Sequence, residues 1–316
     1  MESAAGANGS DKRKLEGIIN GAVKMLKEKR LVKNGGEYKQ EEAEKIIGEL
    51  DKYLFFEKHF RVSRNETGVV LLLEALRTNQ WDCDLTSFVY LGIADKLRLP
   101  IFAVCAPSHM FIRWVAPDWS FNWDTTRREY RSDYWYTKRS NISLVSVKNG
   151  VYLAALTRQE TLAFGYHNTA YFLATEKKKW AEAIKLLDVA TGLNPHIAMS
   201  FDLRGECNMQ INSLKSALRD FEKSSELDPG DPYTRVHKAE AYAFNENIDK
   251  ALTALDSAID DKLKCGAIYY TRSVMRRYKA AFLEKEKPDY AVRLRKEARD
   301  DLSDACKLDK AYCSFQ

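Results

Sequence analysis

The residue types needed for thiol-dependent acyl transfer occur together in one short stretch of the chain. Cys83, His109 and Asp124 follow one another in that order, with few residues between them. A thiol becomes a strong nucleophile when a base takes its proton and a third group orients that base. This order of thiol, imidazole and carboxylate therefore indicates a candidate catalytic triad, provided that the fold brings the three side chains together.

The segment that follows the cysteine predicts a buried helix. Residues 84–97 are apolar on most sides and form a run too long for a typical strand, and Leu99-Pro100 ends it. Cys83 then lies in the first turn, where backbone N–H groups lack intrahelical partners and the helix dipole is positive. Because both effects stabilise a thiolate, the pattern predicts a lowered pKa for Cys83.

The other two candidate residues lie in predicted strands. Residues 100–105, 109–114 and 119–124 have the pattern of strands, and a turn signal separates the last two. Opposite residues on antiparallel neighbours are roughly 4.5–5.5 Å apart. The pattern therefore predicts that His109 lies beside Asp124.

These motifs resemble those of a known superfamily. The segments 82–84 (DCD), 106–114 (APSHMFIRW) and 122–126 (NWDTT) are similar to transglutaminase-like proteins of the papain-like fold. The similarity is to the bacterial and archaeal branch in which such a domain precedes tetratricopeptide repeats, and it covers roughly residues 65–156.

The resemblance implies a role for each triad residue. Cys83 would be the nucleophile, His109 the general base and acid, and Asp124 the carboxylate that orients the imidazole. The chain departs from the family at Asp82, where many relatives carry glycine. The negative charges of Asp82 and Asp84 oppose formation of a thiolate between them.

Features around the triad leave two interpretations open. Gln80 can donate to an oxyanion together with the Cys83 backbone N–H, or it can be an ordinary exposed residue. Four aromatic residues after the triad can line a substrate cleft or pack in a core: Tyr130, Tyr134, Trp135 and Tyr136. The remaining histidines lack metal-ligand spacing and are interpreted as structural or surface residues: His59, His167, His196 and His237. The sequence therefore predicts no metal and no cofactor.

Composition is that of an ordinary water-soluble protein. The 316 residues carry a net charge of +5, with 30% charged and 45% hydrophobic residues and no dense basic block. We therefore expect no binding to nucleic acid.

No apolar run is long enough to span a membrane, and residues 1–10 lack the apolar core of a signal peptide. The six cysteines form no CxxC pair, so we expect reduced thiols and a cytoplasmic protein.

The C-terminal half contains an internal repeat with a constant period. Residues recur at the same interval in these sets: Ala183, Ala217 and Ala251; Leu187, Phe221 and Leu255; Pro195, Pro229 and Leu263; Tyr171, Gly205 and Ala239. Tyr171 breaks the small-residue rule of its set, so the first repeat is imperfect. The interval and the residue types are typical of tetratricopeptide repeats, in which small residues let paired helices approach and proline ends the second helix. Three repeats are clear. A fourth, marked by Ala298, Leu302 and Ala305, arrives later than this period requires and predicts a longer helix pair.

Together these features predict an α+β transglutaminase-like domain of the papain-like fold followed by an all-α tetratricopeptide-repeat solenoid. The predicted boundaries are a flexible tail at 1–11, the cysteine domain at 12–156 and the repeats at 157–316. We expect cysteine-dependent acyl transfer on protein or peptide amides, as a peptidase or amidase rather than a transglutaminase, with a protein or peptide bound by the repeats. The alternative is a catalytically inactive transglutaminase-like fold that serves as a protein–protein interaction scaffold.

Overall fold

The structure, a computed structural model, describes residues 9–63 and 71–315. It divides into two compact units. The first contains the described residues up to Thr175 together with Gly192–Asn194, and the second contains Glu176–Thr191 and the residues from Pro195 onward.

The first unit combines helices with a small sheet. Its helices are α1 (Gly9–Glu28), α2 (Gln40–Lys52, continued by the π-helical turn Tyr53–Glu57), α3 (Leu72–Thr78), α4 (Cys83–Leu97), α5 (Asp133–Ser140), α6 (Leu144–Lys148) and α7 (Arg158–Thr175). Its strands are β1 (Arg61–Val62), β2 (Gln80–Trp81), β3 (Ile101–Ala106), β4 (His109–Val115), β5 (Ser120–Asp124), β6 (Glu129–Tyr130) and β7 (Ala155–Leu156).

Five of these strands form one antiparallel sheet in the order β6-β5-β4-β3-β7, while β1 and β2 pair in parallel. The predicted helix and the three predicted strands are confirmed to within one residue at each end. Their apolar patterns were strong because both the helix and the central strands are buried.

Both faces of strand β4 carry buried residues. Phe111 lies in a core with Val104, Ala106 and Tyr136, on the same side of β4 as His109. Met110, Ile112 and Trp114 alternate with these residues and are also buried. Helix α4 packs against β3 and β4, and Ser87 hydrogen-bonds Thr125 at 3.3 Å. The start of α4 is thereby fixed near the ends of β4 and β5.

The second unit is an array of helical hairpins. Its helices are α8 (Trp180–Leu193, of which residues up to Thr191 belong to this unit), α9 (Ala198–Gln210), α10 (Leu214–Leu227), α11 (Pro232–Phe244), α12 (Ile248–Asp260), α13 (Gly266–Leu283) and α14 (Pro288–Leu308), followed by the 3-10 turn Lys310–Phe315. Helices α9/α10, α11/α12 and α13/α14 form successive pairs, and α11 also contacts α9 and α13. The prediction of helical repeats is confirmed.

The repeat pattern has the expected steric basis. The side chains of Ala217, Phe221, Ala251 and Leu255 are completely buried. A Cβ atom at Gly205 would lie 2.5 Å from Phe221, so a small residue is required there. Helices α13 and α14 have 18 and 21 residues, whereas α9 to α12 have 13 or 14.

An ion pair recurs in successive repeats. Arg204 contacts Asp188 at 2.8 Å, and Arg272 contacts Asp256 at 2.7 Å. Between them in sequence, Lys238 lies 3.5 Å from Glu222. Each pair joins the first helix of a repeat to the second helix of the preceding repeat. The basic and acidic positions were visible in the sequence, but their pairing depends on how the helices pack.

The described elements and units differ from the predicted boundaries at two places. Residues 1–8 of the predicted tail lie outside the described residues, while residues 9–11 already belong to α1. Helix α7, assigned by sequence to the repeats, belongs to the first unit. Its Arg158 contacts Asp95 of α4 at 2.6 Å, a long-range contact that the repeat period does not encode.

The expectation that all six cysteines are reduced is wrong for two of them. Cys306 and Cys313 form a disulfide, because the 3-10 turn after α14 brings the chain back towards the last turns of that helix. Cys83, Cys105, Cys207 and Cys265 are free thiols. Among the described helices, none has both the length and the apolar character needed to cross a membrane.

Candidate active site

Cys83 is the first residue of α4. Asp82 caps this helix by accepting a hydrogen bond from the backbone N–H of Leu85 at 2.8 Å. Aspartate is a favoured N-cap because its carboxylate satisfies a backbone donor that has no partner within the helix. The cap fixes where the helix begins, and Cys83 is partly exposed at that end.

The Cys83 thiol is directed at a neighbouring carboxylate. Its Sγ donates to Asp84 Oδ1 at 3.5 Å. Burial raises the pKa of Cys83 well above its ordinary value, and the charges of Asp84 and Asp82 raise it further. A hydrogen bond from the Met110 backbone N–H lowers the pKa but does not outweigh these effects. The predicted lowering of the Cys83 pKa is therefore wrong, and the thiol is protonated at neutral pH.

Asp84 is held from its other side by α7. Its Oδ2 accepts a hydrogen bond from Asn168 Nδ2 at 2.7 Å. Burial raises the pKa of Asp84, although the bonds from Asn168 and Cys83 and the nearby His109 act to lower it. Asn168 is far from Asp84 along the chain, so no local sequence signal indicated this hydrogen bond.

His109 and Asp124 are joined as predicted. His109 Nε2 hydrogen-bonds Asp124 Oδ2 at 2.8 Å, with the His109 side chain 22% exposed and that of Asp124 completely buried. The β4–β5 register places Asp124 opposite Phe111, one step diagonal to His109 on the same face. His109 and Asp124 are therefore close together as predicted, but they are diagonal neighbours on the two strands rather than directly opposite each other.

Backbone and side-chain donors surround the Asp124 carboxylate. Its Oδ1 accepts from the backbone N–H groups of Arg127 at 2.9 Å and Thr126 at 3.2 Å. Burial acts to raise the pKa of Asp124, but His109, Arg127 and Tyr136 outweigh it and lower the pKa to about 2. Asp124 is therefore ionised at neutral pH and holds the His109 ring.

Tyr136 is a component of the site that sequence reasoning did not assign. Its hydroxyl donates to Asp124 Oδ2 at 3.0 Å, and burial together with Asp124 raises the pKa of Tyr136. Its ring stacks on Phe111 with centroids 4.1 Å apart. The sequence offered only an aromatic cluster. Of that cluster, Tyr136 is buried, whereas Tyr130 and Tyr134 are exposed.

The turn before His109 has a special backbone conformation. Ser108 has a φ of 53°, in the left-handed region that side chains disfavour. Pro107 and Ser108 form the two-residue connection between Ala106 and His109, which are paired across β3 and β4. The turn sets the position of His109 at the first residue of its strand.

The structure brings two of the three triad residues into direct contact. No hydrogen bond joins Cys83 to His109 within residues 9–63 and 71–315, because the thiol is bonded to Asp84. Gln80 lies in β2, paired with Arg61 and partly exposed. The catalytic roles of Cys83, His109 and Asp124, and the oxyanion role of Gln80, stay predictions.

One group of potential metal ligands converges in the second unit, among the residues that the structure describes. Asp202, Glu206 and His237 place one ligand atom each within 4.8 Å of one another. His237 Nδ1 lies 3.0 Å from Asp202. Burial lowers the pKa of His237, but Asp202 and the nearby acids outweigh it and raise the pKa to about 9. An ion pair of His237 on α11 with Asp202 on α9 accounts for the close approach of these groups. The spacing of the three residues in the sequence had not indicated that they would meet.

Comparisons with known proteins include the following two similarities to solved structures. No family model matches the chain, and no curated protein matches it. A structure described as the MamA RS-1 ArsTM double mutant is 18% identical, with coverage of 49% of this chain and 78% of that chain and a TM-score of 0.37. The TPR2B-domain:pHsp70-complex of yeast Sti1 is 19% identical, with coverage of 46% and 98% and a TM-score of 0.30. At these TM-scores neither similarity bears on the function of this chain.

Proposed function

We propose that this chain is a protein-binding scaffold whose helical repeats hold a protein or peptide partner. The observation that carries the proposal is the recurrence of large exposed apolar side chains at equivalent repeat positions. Met199 and Tyr233 occupy the same position in successive repeats and are 42% and 57% exposed. Phe244 and Tyr278 share a second position of the repeat and are 71% and 61% exposed.

These four side chains all lie on first helices of successive pairs. Met199 is on α9, Tyr233 and Phe244 are on α11, and Tyr278 is on α13, and α11 contacts both of the other two. Aromatic residues and methionine are enriched in protein interfaces, where their large surfaces leave water on binding. Repetition of exposed apolar residues on contacting helices suits an extended partner.

In this proposal the first unit does not need to be an enzyme. The thiol of Cys83 is protonated and bonded to Asp84, and the flanking carboxylates oppose its ionisation. Metal, nucleic acid and membrane play no part in the proposed binding. A cytoplasmic location stays a prediction.

The test compares partner capture by variants of the full chain. The double variant Phe244→Ala/Tyr278→Ala should lose partners that the unchanged chain retains. Val292→Ala, on α14 and 62% exposed, is the matched control and should retain them. Cys83→Ala should also retain them. Each captured partner is then purified and its affinity measured by calorimetry. Equal affinity for the unchanged chain and the double variant would contradict the proposal.

A second candidate function is cysteine-dependent acyl transfer, favoured by the His109–Asp124–Tyr136 arrangement. His109 Nδ1 makes no hydrogen bond within the described residues, so this nitrogen can accept a proton. The reaction requires the Cys83 side chain to leave Asp84 and to bring its thiol within hydrogen-bonding distance of His109. Ion pairing with Asp124 would then stabilise the imidazolium that forms.

The proposed reaction has two steps. His109 takes the thiol proton, the Cys83 sulfur attacks an amide carbonyl, and His109 returns the proton to the departing amine as the C–N bond breaks. Water then attacks the thioester, with His109 as base, and releases the acid and the free thiol. An amine in place of water would make the reaction a transglutamination. Hydrolysis is preferred because water is always present.

Thiol labelling tests this second candidate. The full chain is treated with an iodoacetamide probe, and labelled cysteines are quantified by mass spectrometry. Cys265, the other partly exposed free cysteine, is the internal reference. Faster labelling of Cys83 than of Cys265 that is lost in His109→Ala would support acyl transfer. Labelling of Cys83 that is slower than that of Cys265 and unchanged by His109→Ala would count against it.

A further inference from the structure

A cleft opens beside His109 in the first unit. It has a volume of about 440 Å³ and is lined by His109, Arg127, Trp135, Tyr136 and Arg139, among others. Volumes of roughly 300–1,000 Å³ are usual for sites that bind small molecules or side chains. The cleft is therefore large enough to hold one side chain of a bound peptide.

The charge of this cleft is positive. Arg127 and Arg139 both line it and are exposed, and none of its described lining residues is acidic. Arg127 Nε lies 3.8 Å from the buried Asp124 Oδ2, so part of its charge is compensated. Within the described part of the chain, Arg139 forms no ion pair with a carboxylate. At least one guanidinium thus faces the cleft without an ionic partner.

One aromatic ring holds both guanidinium groups near the cleft. The Arg127 group lies 5.4 Å from the Trp135 ring centroid, and the Arg139 group lies 5.2 Å from it. Contacts of this kind offset part of the repulsion between two cations and limit their movement. Guanidinium groups bind carboxylates and phosphates through paired N–H donors, and such groups held in place lose less entropy on binding.

We infer that this cleft binds an anionic side chain of a peptide, with Arg139 and Arg127 donating to the anion and Trp135 contacting its aliphatic stem. The carboxylate of glutamate and the phosphate of phosphoserine share this chemistry. The site goes beyond the repeat surface proposed above, because it lies in the first unit and requires no reaction at Cys83.

The experiment measures binding of fluorescein-labelled, alanine-based peptides to the full chain by anisotropy. Three peptides differ at one central residue, which is glutamate, glutamine or phosphoserine. Binding of the glutamate or phosphoserine peptide but not of the glutamine peptide is the expected result. The tighter of the two anionic peptides identifies the source of the anion. Equal binding of all three peptides, or binding of none, would overturn the inference.

Variants then locate the binding to the cleft. Arg139→Gln should weaken binding of the anionic peptide about tenfold, because it removes a charged double hydrogen bond. The matched control is Lys138→Gln, which removes the same charge from the adjacent exposed position of α5 and should leave the affinity unchanged. Equal affinities of the two variants would exclude the cleft. Since no turnover is measured, failure of thiol labelling at Cys83 leaves this test intact.

Discussion

The Tyr136 hydroxyl donates to Asp124 Oδ2 at 3.0 Å, and the same oxygen binds His109 Nε2 at 2.8 Å. One carboxylate oxygen thus joins a residue of α5 to a residue of β4. Asp124 is completely buried, so its orientation is fixed by these donors and not by water. The position of the His109 ring consequently depends on a tyrosine outside the predicted triad.

Removing that hydroxyl should destabilise the first unit. Tyr136→Phe leaves a buried carboxylate with one donor fewer, and we expect the free energy of unfolding to fall by about 1–3 kcal/mol. Urea unfolding followed by circular dichroism measures this change. Tyr134→Phe is the matched control, since Tyr134 lies on the same helix and is 69% exposed. Equal losses in the two variants would mean that the bond to Asp124 contributes nothing.

Stability should depend on pH through Asp124. Its pKa is lowered from 3.8 to about 2 in the folded chain, so its stabilising contribution is present above about pH 4 and is lost as the pH falls through 2. The shift corresponds to roughly 2 kcal/mol at neutral pH. Urea unfolding of the unchanged chain and of Asp124→Asn is measured from about pH 6 to about pH 2. The difference between their free energies of unfolding should become smaller below about pH 4. A difference that does not change with pH would contradict the lowered pKa of Asp124.

The backbone of Ser108 predicts a stabilising substitution. Its φ of 53° is disfavoured for residues with a side chain, whereas glycine adopts it freely. We expect Ser108→Gly to raise the free energy of unfolding by about 1 kcal/mol, measured by urea denaturation. Ser108→Ala is the control, because it keeps the Cβ atom that causes the penalty. A gain in the alanine variant as large as in the glycine variant would rule out this explanation.

The close approach of two repeat helices predicts that a larger residue at Gly205 destabilises the fold. A Cβ atom at Gly205 would lie 2.5 Å from the completely buried Phe221 ring. Gly205→Ala should therefore lower the free energy of unfolding by about 1–3 kcal/mol through overpacking. At Gly165 in α7 a Cβ atom would meet nothing within 4 Å, so Gly165→Ala should be neutral or stabilising. Thermal unfolding of both variants checks the contrast, and similar midpoints would contradict it.

Features that depend on neighbouring residues in the sequence were predictable. The apolar run after Cys83 predicted α4, alternation and turn residues predicted β3 to β5, and the constant repeat period predicted the helical repeats. The proximity of His109 and Asp124 followed as well, because a tight turn leaves adjacent antiparallel strands few possible registers. The basic and acidic residues of the recurring ion pair also follow the repeat period in the sequence, but the sequence did not show that they contact each other.

The state of the thiol was decided by the tertiary structure. The position of Cys83 at the start of α4 favoured a thiolate, while the flanking acids opposed one. In the fold, desolvation of the partly exposed Cys83, together with the charge of Asp84, raises its pKa. Desolvation depends on which elements cover a group, and no local pattern contains that information. For the same reason the bonds from Asn168 to Asp84 and from Tyr136 to Asp124 emerged only in the folded chain. Local periodicity therefore determined the elements of this protein, whereas packing between distant segments determined the charges and contacts of its candidate site.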